Sequence, residues 1–153
     1  MTTADHDRPY QGAFVAGTHH FALRVYFEDT DTAGVVYSAN YLRFMERARS
    51  DMLRAIGIDQ RAVLEAGEGA YYVAEVAIRY RKPARLDDAL LVLSEVREIR
   101  AASCVIHQRV MRERELLTEA DVTAAFLSAD GRPQRQPRAW VEKFEALKRK
   151  KQE

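Results

Sequence analysis

Only two stretches of this chain carry the three-to-four residue period of a helix long enough to cover a sheet, and only one of them lies among the strands. From about Asn40 to Ile56, Tyr41, Met45, Ala48, Met52 and Ile56 recur on one face. Arg43, Glu46, Arg47, Arg49, Asp51 and Arg54 fill most of the remaining positions, which defines an amphipathic helix of about four turns. Gly57 follows as its stop. A short second helix is expected over Asp59 to Ala66, and a final one over about Arg138 to Lys150, with Trp140, Phe144 and Leu147 on one side. Pro137 precedes that last helix.

Period two governs most of the rest. His19 to Phe27 alternates, with Phe21, Leu23, Val25 and Phe27 on one side. Tyr72, Ala74, Val76, Ile78 and Tyr80 alternate with more polar residues until Pro83 bends or ends the strand. Leu86 to Arg100 contains the run ALLVL, as in a strand covered on both faces. Ser103 to Arg112 and Leu116 to Ser128 follow, the latter lining one face with Ala120, Val122, Ala124 and Phe126. Asp130-Gly131 marks a turn. The order is strand, long helix, four strands, terminal helix, with short connections, so an α+β fold with an antiparallel sheet is expected. One helix cannot cover both faces of five strands, so the other face or an edge is expected to be buried against a second subunit. The expected organisation is a flexible tail over 1–18, a domain over 19–138, and a C-terminal helix with a basic tail over 139–153.

Composition narrows the function by exclusion. Hydrophobic residues are 47% of 153, enough for a core, and the net charge is +1, which offers no clustered basic footprint for nucleic acid. No apolar run approaches the roughly 18 residues of a membrane span. The N-terminal residues lack the pattern of a secretory signal, and the lone Cys104 leaves no intrachain disulfide, which favours a reducing, cytoplasmic setting. The basic run Lys148 to Lys151 suits a solvated helix end; its alternative is a peripheral contact with the inner membrane. His6, His19, His20 and His107 have no evident ligating partners, so no metal is assigned, and Cys104 alternates with Ile106 as a core thiol.

The densest chemistry lies in FEDTDTAGVVYSANYLRFMERAR, Phe27 to Arg49. Asp29 and Asp31 sit two residues apart, followed by the small residues Thr32, Ala33 and Gly34, the apolar triplet Val35, Val36 and Tyr37, and a helix start at Ser38 to Asn40. A carboxylate held in a tight loop beside a helix N-terminus can serve acid–base or nucleophilic work, because the free N–H groups there stabilise a developing oxyanion. The plain reading is turn and capping chemistry: Ser38 is a good N-cap, Asp29 a loop-ordering acceptor, and Glu46 a salt-bridge partner. A calcium loop counted from Asp29 finds glycine at its sixth position, Gly34, but Asn40 instead of glutamate at its twelfth.

This segment resembles the signature of the 4-hydroxybenzoyl-CoA thioesterase-like hotdog family, and most closely its branch of bacterial acyl-CoA thioesterases associated with the Tol–Pal system. The matching string is YFEDTDTAGVVYSANY, with Phe44, Glu46, Arg47, Ala48 and Arg49 after it; RYRKPARLDD at Arg79 to Asp88 and the late DGRPQRQP also match, and the whole covers about residues 19 to 138. The resemblance implies a hotdog fold, in which a curved five-stranded antiparallel sheet wraps a long central helix. It also implies a homodimer or homotetramer with active sites at the subunit interface. The implied activity is hydrolysis of an acyl-CoA thioester without a bound cofactor, an acyl carrier protein being the alternative partner and a non-catalytic acyl-binding module the alternative role. Position by position, Asp31 matches the catalytic carboxylate, Gly34 the glycine near the thioester, and the backbone N–H of Ser38 the donor that polarises the carbonyl. The Tol–Pal-associated branch usually has histidine where this chain has Ser38; the aromatic-acyl branch lacks it as well. Tyr26, Val36 and Tyr37 are candidate substrate contacts, and Arg79, Arg81, Lys82 and Arg85 candidate donors to the CoA phosphates.

Overall fold

The computed structural model describes residues 4–152. Six strands form one antiparallel sheet: β1 (Ala13–Val15), β2 (Thr18–Arg24), β3 (Ala70–Tyr80), β4 (Ala89–Ile99), β5 (Ser103–Arg112) and β6 (Glu115–Leu127). Their spatial order is β1-β2-β4-β5-β6-β3, so β3 crosses over to the far edge. Register shifts at Val73/Glu75, Val96/Glu98 and Val110/Met111 mark bulges, which bend a sheet around whatever packs on its concave side. That element is α1 (Asn40–Ala55), which packs against β2 and β4.

The helical stripe read from the sequence is the buried one. Tyr41, Met45, Ala48 and Met52 are all buried, joined by Phe44 and Leu53. The N-terminal half of α1 packs with Val25, Val92, Val110, Leu117 and Val122. Its C-terminal half packs with Ile106 and Phe126 and with Trp140, Phe144 and Leu147 of α3 (Arg138–Gln152). Burying a large apolar side chain stabilises by about 1.5–3 kcal/mol, so these two clusters outweigh the cost of ordering the helix. Gly57, at φ +83°, ends α1, and the Lys143 ammonium of α3 donates to the carbonyl of Ile56 at 2.6 Å, occupying an acceptor the helix end leaves open. The short α2 (Gln60–Glu65) follows, capped by the Asp59 side chain accepting from the N–H of Ala62.

Three expectations are corrected. The sheet has six strands instead of five, because Ala13–Val15, assigned to a flexible tail over 1–18, pairs with β2. The cause is a polar anchor: buried Asp51 of α1 accepts from the N–H of Gly12 and lies 2.7 Å from Nε2 of fully buried His19. Phe27, placed on the core side of the first strand, is 83% exposed, because β2 stops at Arg24 and Phe27–Asp29 turns out of the sheet. In β3 the bulge at Val73/Glu75 changes the phase of alternation, so Tyr71, and not Tyr72, packs against Phe126 and Trp140.

Burial holds His19 below its ordinary value near 6.5, against the opposing hydrogen bond and charge of Asp51. The unfolded chain therefore takes up a proton at His19 before the folded chain does, and stability falls as pH drops through that ordinary value. Thermal unfolding followed by circular dichroism from about pH 7.5 to about 5.5 should show a falling melting temperature in the parent. His19→Gln, which keeps a donor toward Asp51 without titrating, should give a flatter profile.

Candidate active site

The chain leaves β2 at Arg24 and returns as α1 at Asn40, and the loop between them is braced from both sides. On one side Asp29, 8% exposed, accepts from the N–H of Tyr26 (2.8 Å) and from Nδ2 of Asn40 (2.6 Å), while its main-chain oxygen accepts from the N–H of Tyr37 (3.0 Å). The loop-ordering role expected of Asp29 is what these bonds perform. On the other side the segment after β3 runs alongside. The N–H of Val36 donates to Ala84 O (2.8 Å), that of Leu86 to Gly34 O (3.3 Å), and Val35 bridges Arg85. Ala84 in turn donates its N–H to the Tyr41 hydroxyl at 2.9 Å.

Asp31 sits inside this frame, exposed to solvent. Its backbone forms a tight turn, with N–H to Val35 O (2.9 Å) and its own oxygen accepting from Gly34 N–H (3.0 Å). One carboxylate oxygen, Oδ1, accepts from the N–H of Ala33 (2.8 Å) and of Val35 (3.4 Å). No hydrogen bond reaches Oδ2 among the described residues. Gly34 adopts φ +77°, which a side chain would strain. A Cβ built there meets nothing within 4 Å, so within this chain the glycine answers a backbone requirement and not a packing one.

Ser38 begins the turn into α1 without capping it. The N-cap position is Ala39, in helical conformation and with no side-chain cap, which corrects the expectation of a serine cap. The backbone takes up the donors a side-chain cap would serve: Asn40 N–H donates to Tyr37 O (2.8 Å) and Leu42 N–H to Ala39 O (3.2 Å). No acceptor lies against the N–H of Ser38 among the described residues, and its carbonyl accepts from the Tyr80 hydroxyl (2.9 Å). Val36, Ser38, Tyr41, Tyr80, Arg81, Lys82 and Pro83 border an open cleft of about 270 Å³ between the start of α1 and the end of β3.

The sequence-derived contacts divide accordingly. Val36 is buried at the cleft floor, whereas Tyr26 and Tyr37 are exposed on the loop and outside its lining. Arg81 and Lys82 border the cleft, paired with Glu119 (2.6 Å) and Glu115 (3.0 Å); Arg85 is exposed on the bracing segment, and Arg79 borders a different hollow with Arg97, His107 and Asp121. Exposed pairs of this kind contribute about 0–1 kcal/mol, so either base can exchange its carboxylate for a phosphate. Sequence reasoning missed Tyr41, Tyr80 and Asn40 as site residues; the position of Tyr41 and Asn40 in the first helical turn was the available signal. Glu46 pairs with Arg49 at 2.6 Å, and burial pushes the Cys104 thiol up to about 12, which leaves it inert.

A lone helix set in an antiparallel sheet, with an acidic loop at its N-terminus, is the arrangement of the hotdog thioesterases. The chain belongs to the thioesterase-like superfamily, whose model matches residues 25–148. It is 46% identical over 105 residues to the acyl-CoA thioesterase YbgC of Haemophilus influenzae, covering 69% of this chain and 77% of that protein. It is 40% identical over 124 residues to the acyl-CoA thioester hydrolase YbgC of Escherichia coli, covering 80% and 92%. Among solved structures, 4-hydroxybenzoyl CoA thioesterase from Pseudomonas sp. strain CBS-3 superposes with a TM-score of 0.76 at 25% identity, covering 82% of this chain and 98% of that one.

Because no side-chain bond of Ser38 supports α1, Ser38→Ala should unfold within about 0.5 kcal/mol of the parent, against the roughly 1 kcal/mol that loss of a true N-cap costs. Chemical denaturation of the two proteins checks this.

Proposed function

We propose that this chain hydrolyses the thioester of an acyl-coenzyme A to the free acid and CoA, with Asp31 as the reacting carboxylate. The observation that carries the assignment is the division of labour at Asp31. Two backbone N–H groups hold Oδ1, while Oδ2 takes no hydrogen bond among the described residues and the side chain is exposed. A carboxylate held this way is fixed in place and still free to react. The N–H of Ser38 serves as donor to the thioester carbonyl, where charge develops as the tetrahedral centre forms; such a donor supplies about 3 kcal/mol. Asp31 either takes the proton of an attacking water and passes it to the departing CoA sulfur, or attacks the carbonyl itself, expelling the CoA thiolate and forming an anhydride whose opening by water returns Asp31 and supplies the proton the thiolate takes up. Val36, Tyr41 and Tyr80 line the approach, and Arg81, Lys82 and Arg85 suit the phosphates of CoA.

The names of the YbgC relatives support acyl-CoA as the substrate class. The outer edge of β3 is unpaired among the described residues and carries the exposed Tyr72, Val73 and Tyr80, which supports a homodimer formed edge to edge, with a second pairing giving a tetramer. No helix among the described residues is long and apolar enough to cross a membrane. The proposal extends to a cytoplasmic setting beside the Tol–Pal machinery, which rests on the resemblance of the sequence alone.

Thiol release measured across short, long and aromatic acyl-CoAs should show turnover that Asp31→Asn lowers by about 10²–10⁴-fold, the scale of a lost general base or nucleophile. A folded Asp31→Asn protein with the parent's rate would sink the assignment. Turnover only on acyl carrier protein thioesters would move the substrate class, and light scattering should give a multiple of the 17.5 kDa chain mass.

A further inference from the structure

Asp29 lies two residues before Asp31 but faces the other way, into the protein. Its three acceptor positions join three separate pieces of the loop. Oδ2 takes the N–H of Tyr26 at the exit from β2, Oδ1 takes the amide of Asn40 in the first turn of α1, and the main-chain oxygen takes the N–H of Tyr37. An ionised carboxylate only accepts, so both of its bonds must come from donors, and the Asn40 side chain presents its NH₂ toward Asp29. Asp29 and Asn40 are 8% and 5% exposed, so water cannot readily replace these bonds.

The bracket ties the chain just before Asp31 to the chain on either side of Ser38. Asp31 follows Asp29 by two residues; Ser38 lies between Tyr37, bonded to Asp29, and Asn40, bonded to Asp29. We propose that Asp29 and Asn40 are a positioning pair, which sets the Ser38 N–H against the Asp31 carboxylate and acts on turnover through that geometry alone. The inference rests on the reading of Asp31 and Ser38 given above and deepens it. Neither residue of the pair touches the substrate, so their loss lowers the chemical rate and leaves substrate capture by Arg81, Lys82 and the apolar cleft in place.

The pair can be reversed, which separates positioning from direct chemistry. In Asp29→Asn alone the charge is lost, but the amide oxygen at 29 can accept from Tyr26 N–H and its NH₂ can donate to the Asn40 oxygen once the Asn40 amide turns over. In Asn40→Asp alone, two carboxylates face one another. In the double variant Asp29→Asn/Asn40→Asp, the residue at 29 donates through its amide nitrogen to the carboxylate at 40 and accepts from Tyr26 through its amide oxygen. Both bonds return with the polarity of one reversed and the total charge unchanged.

Steady-state kinetics on an acyl-CoA and amide hydrogen exchange over residues 35–41 are to be measured for the parent, both single variants, the double variant and Asp31→Asn. Asn40→Asp should lower kcat about tenfold or more, the scale of a small misplacement of reacting groups, with KM within about twofold, and Asp29→Asn should cost less because a turned Asn40 amide remakes both bonds. Asn40→Asp should also exchange faster at Tyr37. The double variant should return kcat to within about threefold of the parent and restore slow exchange. A double variant as slow as Asn40→Asp overturns the proposal, since that result assigns the Asp29 carboxylate a chemical role. So does Asn40→Asp with the parent's kcat. Should a single variant fail to fold, the double variant decides: near-parent kcat supports the pair, and a tenfold loss or failure to fold overturns it. Asp31→Asn keeps the two claims apart, because it should lose turnover while its exchange over 35–41 stays at the parent's level. Parental turnover in Asp31→Asn overturns the catalytic reading, and exchange in the double variant still decides whether the pair holds the loop.

Discussion

The structure depends on one helix having to serve a whole sheet. α1 offers a single apolar face, and the concave side of six strands has to close on it. The strands do so by bulging at three points, so that Val92, Val110 and Val122 converge on Phe44 and Met45. The second apolar cluster then has nothing left of α1 to use but Met52 and Leu53, and it recruits α3, whose Trp140, Phe144 and Leu147 seal that end. The C-terminal helix, separated from the domain by the sequence-level division at 138/139, is thus part of the same core. The cost of the arrangement appears at β3: it pairs with β6 on one side, and Tyr72, Val73 and Tyr80 remain exposed.

The same geometry builds the site. A helix inserted into a sheet must have its N-terminus reached by a loop from β2, and that loop can be rigid only if its backbone groups find partners outside regular structure. They find them in two places, the carboxylate of Asp29 and the segment 83–88 that follows β3. The latter is itself pinned, because Arg112 of β5 donates to Asp88 (2.8 Å) and to Pro83 O (3.3 Å), and Asp88 accepts from the N–H of Arg85 (2.8 Å). Although burial opposes it, the bonds from Arg85 and Arg112 hold the Asp88 carboxyl below the usual carboxylate range. The exposed carboxylate of Asp31 therefore rests on a chain of fixed groups that leads back into the sheet.

Much of this could be read from the residues. The stripe Tyr41, Met45, Ala48, Met52 located α1 to within a residue of its end, and the alternation in β6 placed its inward face, whereas β4, read as covered on both faces, alternates, with Leu90, Val92, Ser94 and Val96 buried and Leu91 and Leu93 only partly so. The segment Phe27 to Arg49 was recognisable as the chemical part of the chain, and Asp29 as an acceptor that orders it. What periodicity could not reach were contacts between distant parts. The strand at 13–15 has no alternation of its own to speak of and exists because His19 and Asp51 anchor Gly12 across 39 positions of sequence. The phase change in β3 comes from a bulge, which has no signature in a run as regular as YYVAEVAIRY. The serine at 38 reads as a cap because serine usually is one, whereas here the N–H of Asn40 already donates to the carbonyl of Tyr37.

A polar node inside the helix–sheet contact bears on why the helix sits at one height along the sheet. Gln108 of β5 is fully buried. Its amide donates to Met45 O (3.0 Å) and to Ser94 Oγ of β4 (2.9 Å), and its oxygen accepts from the Arg49 guanidinium (2.8 Å). An apolar residue at 108 would pack as well, but apolar contacts are non-directional and tolerate a slide of the helix along the sheet. Donors and acceptors buried together do not tolerate it, because a displaced helix leaves each of them unpaired at about 1–3 kcal/mol apiece. A slide would also carry Ser38, which leads into the first turn, away from the segment 83–88 that braces the Asp31 turn through Val36 and Gly34. The buried amide under the middle of α1 and the carboxylate bracket at its start therefore constrain the same coordinate from two places, and the position of the candidate oxyanion donor follows from both.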